Sequence, residues 1–338
     1  MKRVVSVQDL LELEIKPDAL LAEFYALTSE EVPNRLLSNL CRVSCPGCGS
    51  TQSQAAFEKL GLTYRQCAIC ATLYVSPRPA ESALIDYYRH SRAAQFWRER
   101  VLPVTDVART EKIIVPRAEW VLEGLAEYAS RATVGLDMSS HGYAFAQTLI
   151  EIGTHITRLI AANPLADVDF AASINKVEVL PRSFSESIAP QTVDFMTAFD
   201  VVDRCPDLPL FVRAASESLK VGGVLFLTAP SISGFDLQVL WERSATITPP
   251  DKLNLLSVEG FRRLFPEAQW EICEFSAPGM FDAETVRRAI AKQPEGDWHR
   301  FIKYLLLARG EDALIAFQEF LQAYHLSSFV RLLVRKVN

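Results

Sequence analysis

Two spacings of apolar residues alternate through the middle of the chain. Short apolar runs that are typical of buried strands lie at 132–137, 156–161, 177–180, 193–199 and 224–228. Helical spacing, with apolar residues three and four apart, lies between them, most clearly at 144–152 and 208–219. Strands that alternate with helices predict crossover connections and a mainly parallel sheet covered on both faces. The predicted fold class is therefore α/β and doubly wound.

The two ends of the chain have helical spacing without the strand runs. At 7–40 the pattern is interrupted by Pro17 and Pro33, which predicts short helices. At 283–338 it predicts helices whose apolar stripes pack against the rest of the protein. The residues of these stripes are Trp298, Phe301, Tyr304, Leu305, Phe317, Phe320, Leu321 and Tyr324.

Short extended runs at 62–65 and 72–75 predict a small ribbon of strands. Helical patterns follow it at 80–88 and 117–128. The predicted organisation is a helical N-terminal segment (1–40), a ribbon (41–80), a helical connector (81–130), an α/β domain (131–282) and a helical C-terminal extension (283–338).

Four of the seven cysteines form two Cys-x-x-Cys pairs inside the ribbon, Cys45 with Cys48 and Cys67 with Cys70, and 18 residues separate the pairs. Each turn lets two thiolates converge on one ion, and two such turns complete a closed tetrahedral site. The spacing predicts structural zinc; a redox pair or four buried thiols is the alternative. Too few apolar residues lie in the ribbon for it to fold without metal, so we expect metal loss to unfold the ribbon and leave the larger domain folded.

Composition narrows the function classes. The 338 residues are 49% hydrophobic, enough for a large core, and 35 basic against 41 acidic residues give a formal charge of -6. This charge disfavours binding to nucleic acid or to an anionic membrane, although a nucleic-acid-binding ribbon carrying Arg42, Lys59 and Arg65 stays as a third alternative. No run of 18 apolar residues occurs, so we expect a soluble, cytoplasmic protein.

A family resemblance rests on five stretches that occur in order. They lie at 45–79, 194–202, 219–230, 249–257 and 278–282. Together they resemble the class I S-adenosylmethionine-dependent methyltransferases, in particular bacterial sugar and surface-polysaccharide methyltransferases with an N-terminal zinc ribbon. The resemblance spans roughly residues 40 to 280. It implies a Rossmann-like methyltransferase fold, S-adenosylmethionine as methyl donor, and a sugar or a related small molecule as acceptor in polysaccharide biosynthesis.

The turn that should hold the donor departs from the family pattern. Members carry Asp-x-Gly-x-Gly-x-Gly after the first strand, and glycine there lets backbone amides approach the ligand. This chain keeps the acid as Asp137 but has Ser139, His141 and Tyr143 at the glycine positions, with Gly142 one place out of step. The two bulky side chains require a different path for the loop.

The end of the second strand departs as well. The family places a carboxylate there, which accepts hydrogen bonds from both ribose hydroxyls. This chain has Ala161 and Ala162, followed by Asn163. Two independent departures predict an impaired donor site. If the donor binds nevertheless, the expected contacts are Asp137, Ser139, Gly142 and Asn163.

The acceptor side has also changed. The resemblance implies that Asp200 orients the acceptor, whereas Arg204, Lys252 and Phe329 stand where members have histidines. Arginine cannot act as a base at neutral pH but can bind a phosphate or a carboxylate. The leading hypothesis is a non-catalytic binding or partner subunit, acting beside an active enzyme or paralogue. The alternative is an active sugar methyltransferase that uses Asp200 and Arg204.

Overall fold

The computed structural model describes residues 12–139, 143–162, 174–181, 186 and 190–338. The strands, in chain order, are β1 (Ser53–Lys59), β2 (Leu62–Cys67), β3 (Leu73–Val75), β4 (Val134–Asp137), β5 (Arg158–Ala162), β6 (Val177–Leu180), β7 (Val193–Phe199), β8 (Leu219–Pro230), β9 (Asn254–Leu255), β10 (Trp270–Ser276) and β11 (Phe329–Lys336).

The helices are α1 (Glu12–Ile15), α2 (Asp18–Leu36), α3 (Glu81–His90), α4 (Arg92–Phe96), α5 (Leu102–Arg109), α6 (Val115–Tyr128), α7 (Ala144–Ile152), α8 (Leu208–Ser218), α9 (Phe235–Leu240), α10 (Val258–Leu264), α11 (Asp282–Lys292), α12 (Arg300–Ala308) and α13 (Glu311–Ala323). Two π turns, Trp97–Val101 and Thr110–Ile114, join α4, α5 and α6 into one continuous helix. A 3₁₀ turn, Trp241–Arg243, follows α9.

A seven-stranded sheet in the order β10-β11-β8-β7-β4-β5-β6 forms the centre of the protein. The five strands from β8 to β6 are parallel, while β11 runs antiparallel to both β8 and β10. One face packs on α8 and α10 and the other on α6 and α7. Because both faces are covered, the parallel strands are apolar along most of their length, as the sequence pattern predicted.

The ribbon forms a second, antiparallel sheet in the order β1-β2-β3-β9. Its last strand, β9, comes from the α/β region between β8 and β10. The ribbon residues Tyr64 and Leu73 therefore share one hydrophobic core with Leu253 and Leu255, and α2, α3 and α4 close that core.

Most predicted elements of the α/β region are confirmed. The strands at 177–180 and 193–199 and the helix at 144–152 have the bounds that the pattern predicted, and β4, β5 and α8 differ from the prediction by one or two residues. β8 is longer than predicted, because Leu219 already pairs with Val193 of β7; the register then shifts across the residues up to Val224, which include Gly222 and Gly223.

The ends of the chain need correction. The tail is not helical throughout, because Phe329–Lys336 form β11, and β10 was not predicted at all. Pro33 does not end a helix; it lies in the last turn of α2, where proline removes only one hydrogen bond. Half of the predicted packing stripe is exposed, including Phe301, Tyr304 and Tyr324. Within the described ranges, no helix combines the length and the apolar character needed to cross a bilayer.

Candidate functional site

The four ribbon cysteines converge as predicted. The Sγ atoms of Cys45 and Cys70 lie 3.5 Å apart, as do those of Cys48 and Cys67, and all four lie within 4.8 Å of one another. A tetrahedral ion with metal–sulfur bonds of about 2.3 Å separates its sulfurs by about 3.8 Å. The four thiols fit this geometry, and the group could hold a metal ion. Outside this cluster, Cys205 is buried and Cys273 is half-buried.

The α/β domain braces this cysteine cluster directly. Ser257 caps α10 by accepting a hydrogen bond from the Gly260 N–H (2.8 Å), and its hydroxyl donates to the Cys70 carbonyl. The Thr72 hydroxyl contacts the Cys70 sulfur at 3.3 Å. A Cβ atom on Gly260 would lie 2.3 Å from the Thr72 hydroxyl oxygen, so only glycine permits this approach.

The sheet has its topological switch point between β4 and β7. The chain leaves β4 toward β5 on one side and returns from β6 to β7 on the other. Ligands of open α/β sheets bind in the crevice outside the carboxyl ends of the strands at such a point. Asp137, Ala162 and Phe199 end the three strands that border this crevice.

At the end of β4, the Asp137 carboxylate is used inside the protein. Its Oδ1 accepts the Ser139 N–H at 3.0 Å and the Thr197 hydroxyl at 2.8 Å. Burial raises the pKa of Asp137 above its ordinary value, against the lowering effect of these hydrogen bonds. This aspartate therefore fixes the start of the turn that follows β4.

Ser139 connects the ends of β4 and β7. Its hydroxyl accepts the Phe199 N–H at 3.3 Å, and the preceding Met138 N–H donates to the Thr197 carbonyl at 2.8 Å. The side chain is buried. Of the predicted donor contacts, Asp137 and Ser139 meet at the switch point, whereas Gly142 and Asn163 lie outside the described residues, as does His141.

Asp200, directly after β7, forms an ion pair that the sequence did not suggest. Arg117 of α6 donates to its Oδ2 at 2.8 Å, and the Thr228 hydroxyl lies 3.5 Å from its Oδ1. Its backbone has φ = +57°, in the left-handed region that only a few non-glycine residues occupy. The Arg117 side chain is 10% exposed, so this pair is largely shielded from solvent.

Arg204 points to a different group of residues. Its Nη1 lies 3.9 Å from the Asp251 carboxylate and its Cζ 6.0 Å from the Tyr88 ring, and the Tyr88 hydroxyl donates to Asp251 at 2.9 Å. Although burial lowers the pKa of Arg204, Asp251 and the other nearby acids raise it above its ordinary value. Arg204 is thus already surrounded by negative charge. Beside it, Lys252 forms an ion pair with Asp203, whose side chain is fully buried.

Sequence reasoning missed three arginines at this edge of the sheet. Arg117 and Arg109 come from the continuous helix, and Arg331 comes from β11. Arg331 is more than 200 residues from the other two along the chain, and the three belong to no motif, so no sequence signal predicted that they would lie close together. It also missed a buried pair of carboxyl groups, Asp236 and Asp282.

No protein-family profile matches the chain, and no curated protein matches it. Several solved structures are similar. The O-methyltransferase from a trans-AT PKS multienzyme of Brevibacillus brevis, in complex with S-adenosyl-L-homocysteine, is 16% identical over 68% of this chain and 75% of that chain, with a TM-score of 0.43. A geranyl diphosphate methyltransferase in complex with SAM is 12% identical over 68% and 88% of the two chains (TM-score 0.42). A loganic acid methyltransferase with SAH is 13% identical over 69% and 96% (TM-score 0.41).

The sheet described above, parallel with an antiparallel pair of strands at one edge, is Rossmann-like. The protein therefore has a doubly wound, Rossmann-like α/β fold. A shared fold does not transfer an activity, because function resides in the residues of a site.

Proposed function

We propose that this chain is a methyltransferase-fold protein with a structural zinc site and an impaired S-adenosylmethionine site, serving as a non-catalytic binding or partner subunit. The observation that carries the proposal is the use of the backbone amides at the switch point. The N–H groups of Met138, Ser139 and Phe199 all donate to acceptors within the protein.

An active donor site needs backbone amides that a ligand can reach, and glycine provides them because it has no side chain. Here the Ser139 hydroxyl accepts a hydrogen bond from the Phe199 N–H, and the Ser139 N–H donates to the Asp137 carboxylate. A ligand would have to replace each of these bonds, which contribute about 1 kcal/mol apiece. Donor binding at this site therefore carries a free-energy cost that binding to a glycine turn does not.

The neighbouring strand ends support the same conclusion. Ala161 and Ala162 end β5 with buried methyl groups and offer no acceptor for ribose hydroxyls. At the end of β7, Arg117 engages the Asp200 carboxylate. The two strands that flank β4 therefore present an apolar surface on one side and an ion pair on the other.

The proposed metal is zinc. Four thiolates at tetrahedral spacing are the donor set that zinc prefers in structural sites, and four protein ligands leave no open coordination position for chemistry. When bound, the ion supplies folding energy and no catalytic step. Metal analysis of the purified chain should find stoichiometric zinc; an iron–sulfur chromophore instead would overturn the assignment.

The partner that we propose is an active paralogue in the cytoplasm. We assign the pair to polysaccharide biosynthesis, which the resemblance over residues 40 to 280 implies. A subunit without its own donor site contributes by binding the acceptor or by stabilising the active enzyme. Its presence should then raise the rate of the paralogue, and a Ser139→Ala variant should do so equally well because no donor chemistry is required of it.

The test is a calorimetric titration of S-adenosylmethionine and S-adenosylhomocysteine into the zinc-loaded chain. We expect no binding at millimolar ligand. Micromolar binding of either ligand would overturn the impaired-site proposal. A cooperative thermal transition measured on the same sample establishes that the protein is folded.

One observation favours a second candidate, an active methyltransferase for a sugar or a related small molecule. Asp200 combines a left-handed backbone with a shielded ion pair at the carboxyl edge of the sheet, and strained residues cluster at functional sites. In this candidate Asp200 orients the acceptor hydroxyl and Arg204 binds an anionic group on the acceptor. Donor binding together with methyl transfer that Asp200→Asn abolishes would establish it.

A further inference from the structure

Two arginines to which neither candidate function assigns a ligand, Arg117 and Arg331, lie against a layer of aromatic rings. The Cζ atom of Arg117 is 5.2 Å from the centroid of the Phe199 ring and 6.0 Å from that of Phe329. The Cζ atom of Arg331 is 5.5 Å from the Trp120 ring, which lies 6.1 Å from Phe199. Both guanidinium groups therefore lie on the α6 side of the sheet, above neighbouring rings.

The strand register places this group beside the switch-point crevice. Arg331 of β11 pairs with Thr228 of β8, and Thr228 pairs with Phe199, the last residue of β7. Asp200, the next residue after Phe199, forms the ion pair with Arg117. The two arginines thus lie next to the edge of the sheet where ligands of this fold class bind.

Arg331 has a donor atom without an acceptor among the described residues. The Nε atom of Arg331 is buried and has no hydrogen-bond partner there. Burial and the nearby charge of Arg117 lower the pKa of Arg331 below its ordinary value. The nearby Glu274 carboxylate is engaged, since its oxygens accept the Trp120 indole N–H at 2.9 Å and the Ser276 hydroxyl at 3.1 Å. A buried donor without an acceptor is costly unless a bound ligand supplies one.

We propose that Arg117 and Arg331, over the rings of Trp120, Phe199 and Phe329, form a binding site for the carboxylate or phosphate group of a small ligand. The planar guanidinium fork of arginine matches both anions, which it can hold through two parallel hydrogen bonds. The rings offer apolar contact to the body of the ligand. The site goes beyond the proposed function, because it does not depend on whether the methyl donor binds.

The experiment uses the full, zinc-loaded chain without methyl donor. Inorganic phosphate and acetate are titrated at constant ionic strength against chloride, with the thermal midpoint and calorimetry as readouts. We expect one of the two anions to raise the midpoint and to bind saturably. Stronger binding of phosphate identifies a phosphoryl ligand, and stronger binding of acetate identifies a carboxylate ligand.

The variant Arg331→Gln should weaken the binding of that anion by at least about tenfold, because a charge-assisted contact is lost. The matched control is Arg335→Gln on the same face of β11, where Arg335 instead bonds Glu271 at 3.0 Å; binding should not change. Arg331→Lys keeps the charge without the fork and should give an intermediate affinity.

Two results would overturn the proposal. One is that neither anion stabilises the wild-type chain beyond chloride, a result that needs no variant to fold. The other is that Arg331→Gln, shown to be folded, binds phosphate or acetate as tightly as the wild type. Because no methyl donor is present, neither result bears on the impaired-site proposal, which the titration with S-adenosylmethionine tests separately.

Discussion

At the residue scale, Ser139 is the first of the three positions at which this turn differs from a glycine turn. Ser139 carries a CH₂OH group where glycine has a hydrogen atom, and its Oγ accepts the Phe199 N–H. Asp137, by contrast, keeps the position that the resemblance implied and holds the turn through Ser139 and Thr197. The aspartate that fixes the start of the donor turn is thus retained, while the groups that the turn offers to a ligand are changed.

Restoring the lost groups should therefore restore donor affinity. We expect glycine at Ser139, His141 and Tyr143, combined with Ala161→Asp or Ala162→Asp, to give measurable S-adenosylmethionine binding by calorimetry. The triple glycine variant without the acid is the matched control, and it should bind more weakly because the ribose contact is missing. No gain in any combination would show that the pocket is closed for another reason.

The carboxyl pair of Asp236 and Asp282 predicts a pH-dependent stability. Burial and the neighbouring Asp282 raise the pKa of Asp236 from 3.8 to about 8. The folded protein therefore keeps a proton that the unfolded chain has lost, so stability falls as the pH rises from about 4 to about 8, by at most about 1.4 kcal/mol per pH unit. Asp282 stays bound to the Ser327 hydroxyl (2.7 Å) and the Ser328 N–H (2.6 Å).

Urea unfolding at pH 5 and pH 8 tests this prediction. Asp236→Asn cannot ionise, so it should lose less stability between the two pH values than the wild type loses. Asp312→Asn, at an exposed position on α13, is the control and should follow the wild type. If Asp236→Asn and the wild type lose the same stability, Asp236 does not titrate in this range.

At the element scale, the ribbon and the α/β domain share their packing. β9 completes the ribbon sheet, Leu253 and Leu255 fill its core, and Ser257 bonds the Cys70 carbonyl. Lys59 also donates to the Ser244 carbonyl at 2.7 Å. From this shared packing we predict that the ribbon and the α/β domain unfold as one cooperative unit, in place of the sequence-based expectation that the larger domain stays folded without the ribbon.

Metal removal should accordingly destabilise the whole chain. We expect Cys48→Ser, or treatment with a chelator, to lower the midpoint of a single thermal transition that circular dichroism follows for the entire protein. Cys41→Ser is the control, because Cys41 is exposed and lies outside the cluster. Two separate transitions after chelation would instead show that the domains unfold independently.

The elements also show which strands and which site residues could be predicted from the sequence. The run Val193–Phe199 is almost wholly buried, so its apolar letters sufficed to predict β7. In β11 the apolar residues alternate with Arg331, Arg335 and Lys336, and the strand follows three helices, so no local signal marked it as part of the sheet. The four cysteines were predictable because a metal imposes local spacing. The Arg117 pair with Asp200 was not, since only the fold brings those residues together.

At the scale of the whole molecule, the chain closes its sheet with its last strand. β11 pairs with β8 on one side and with β10 on the other, so β8 and β10 belong to one sheet only through β11. Four of its side chains, Val330, Leu332, Leu333 and Val334, are fully buried and pack against both faces. Each contributes about 1.5–3 kcal/mol by burial, which together is comparable to the 5–15 kcal/mol that stabilises a typical protein.

Deleting residues 329–338 should therefore abolish folding, although the deleted segment lies far along the chain from Asp137 and from the metal cluster. The truncated chain would expose the edges of β8 and β10, which invites aggregation. Deleting only Val337 and Asn338 is the control. It removes one backbone hydrogen bond, from the Val337 N–H to the Gln269 carbonyl, and one from the Asn338 side chain to the Ala268 carbonyl. The thermal midpoint should stay nearly unchanged. A cooperative transition in the longer deletion, measured by calorimetry, would mean that β8 and β10 can close the sheet on their own, and that the helices α11 to α13 do not need β11 to hold them to the α/β domain.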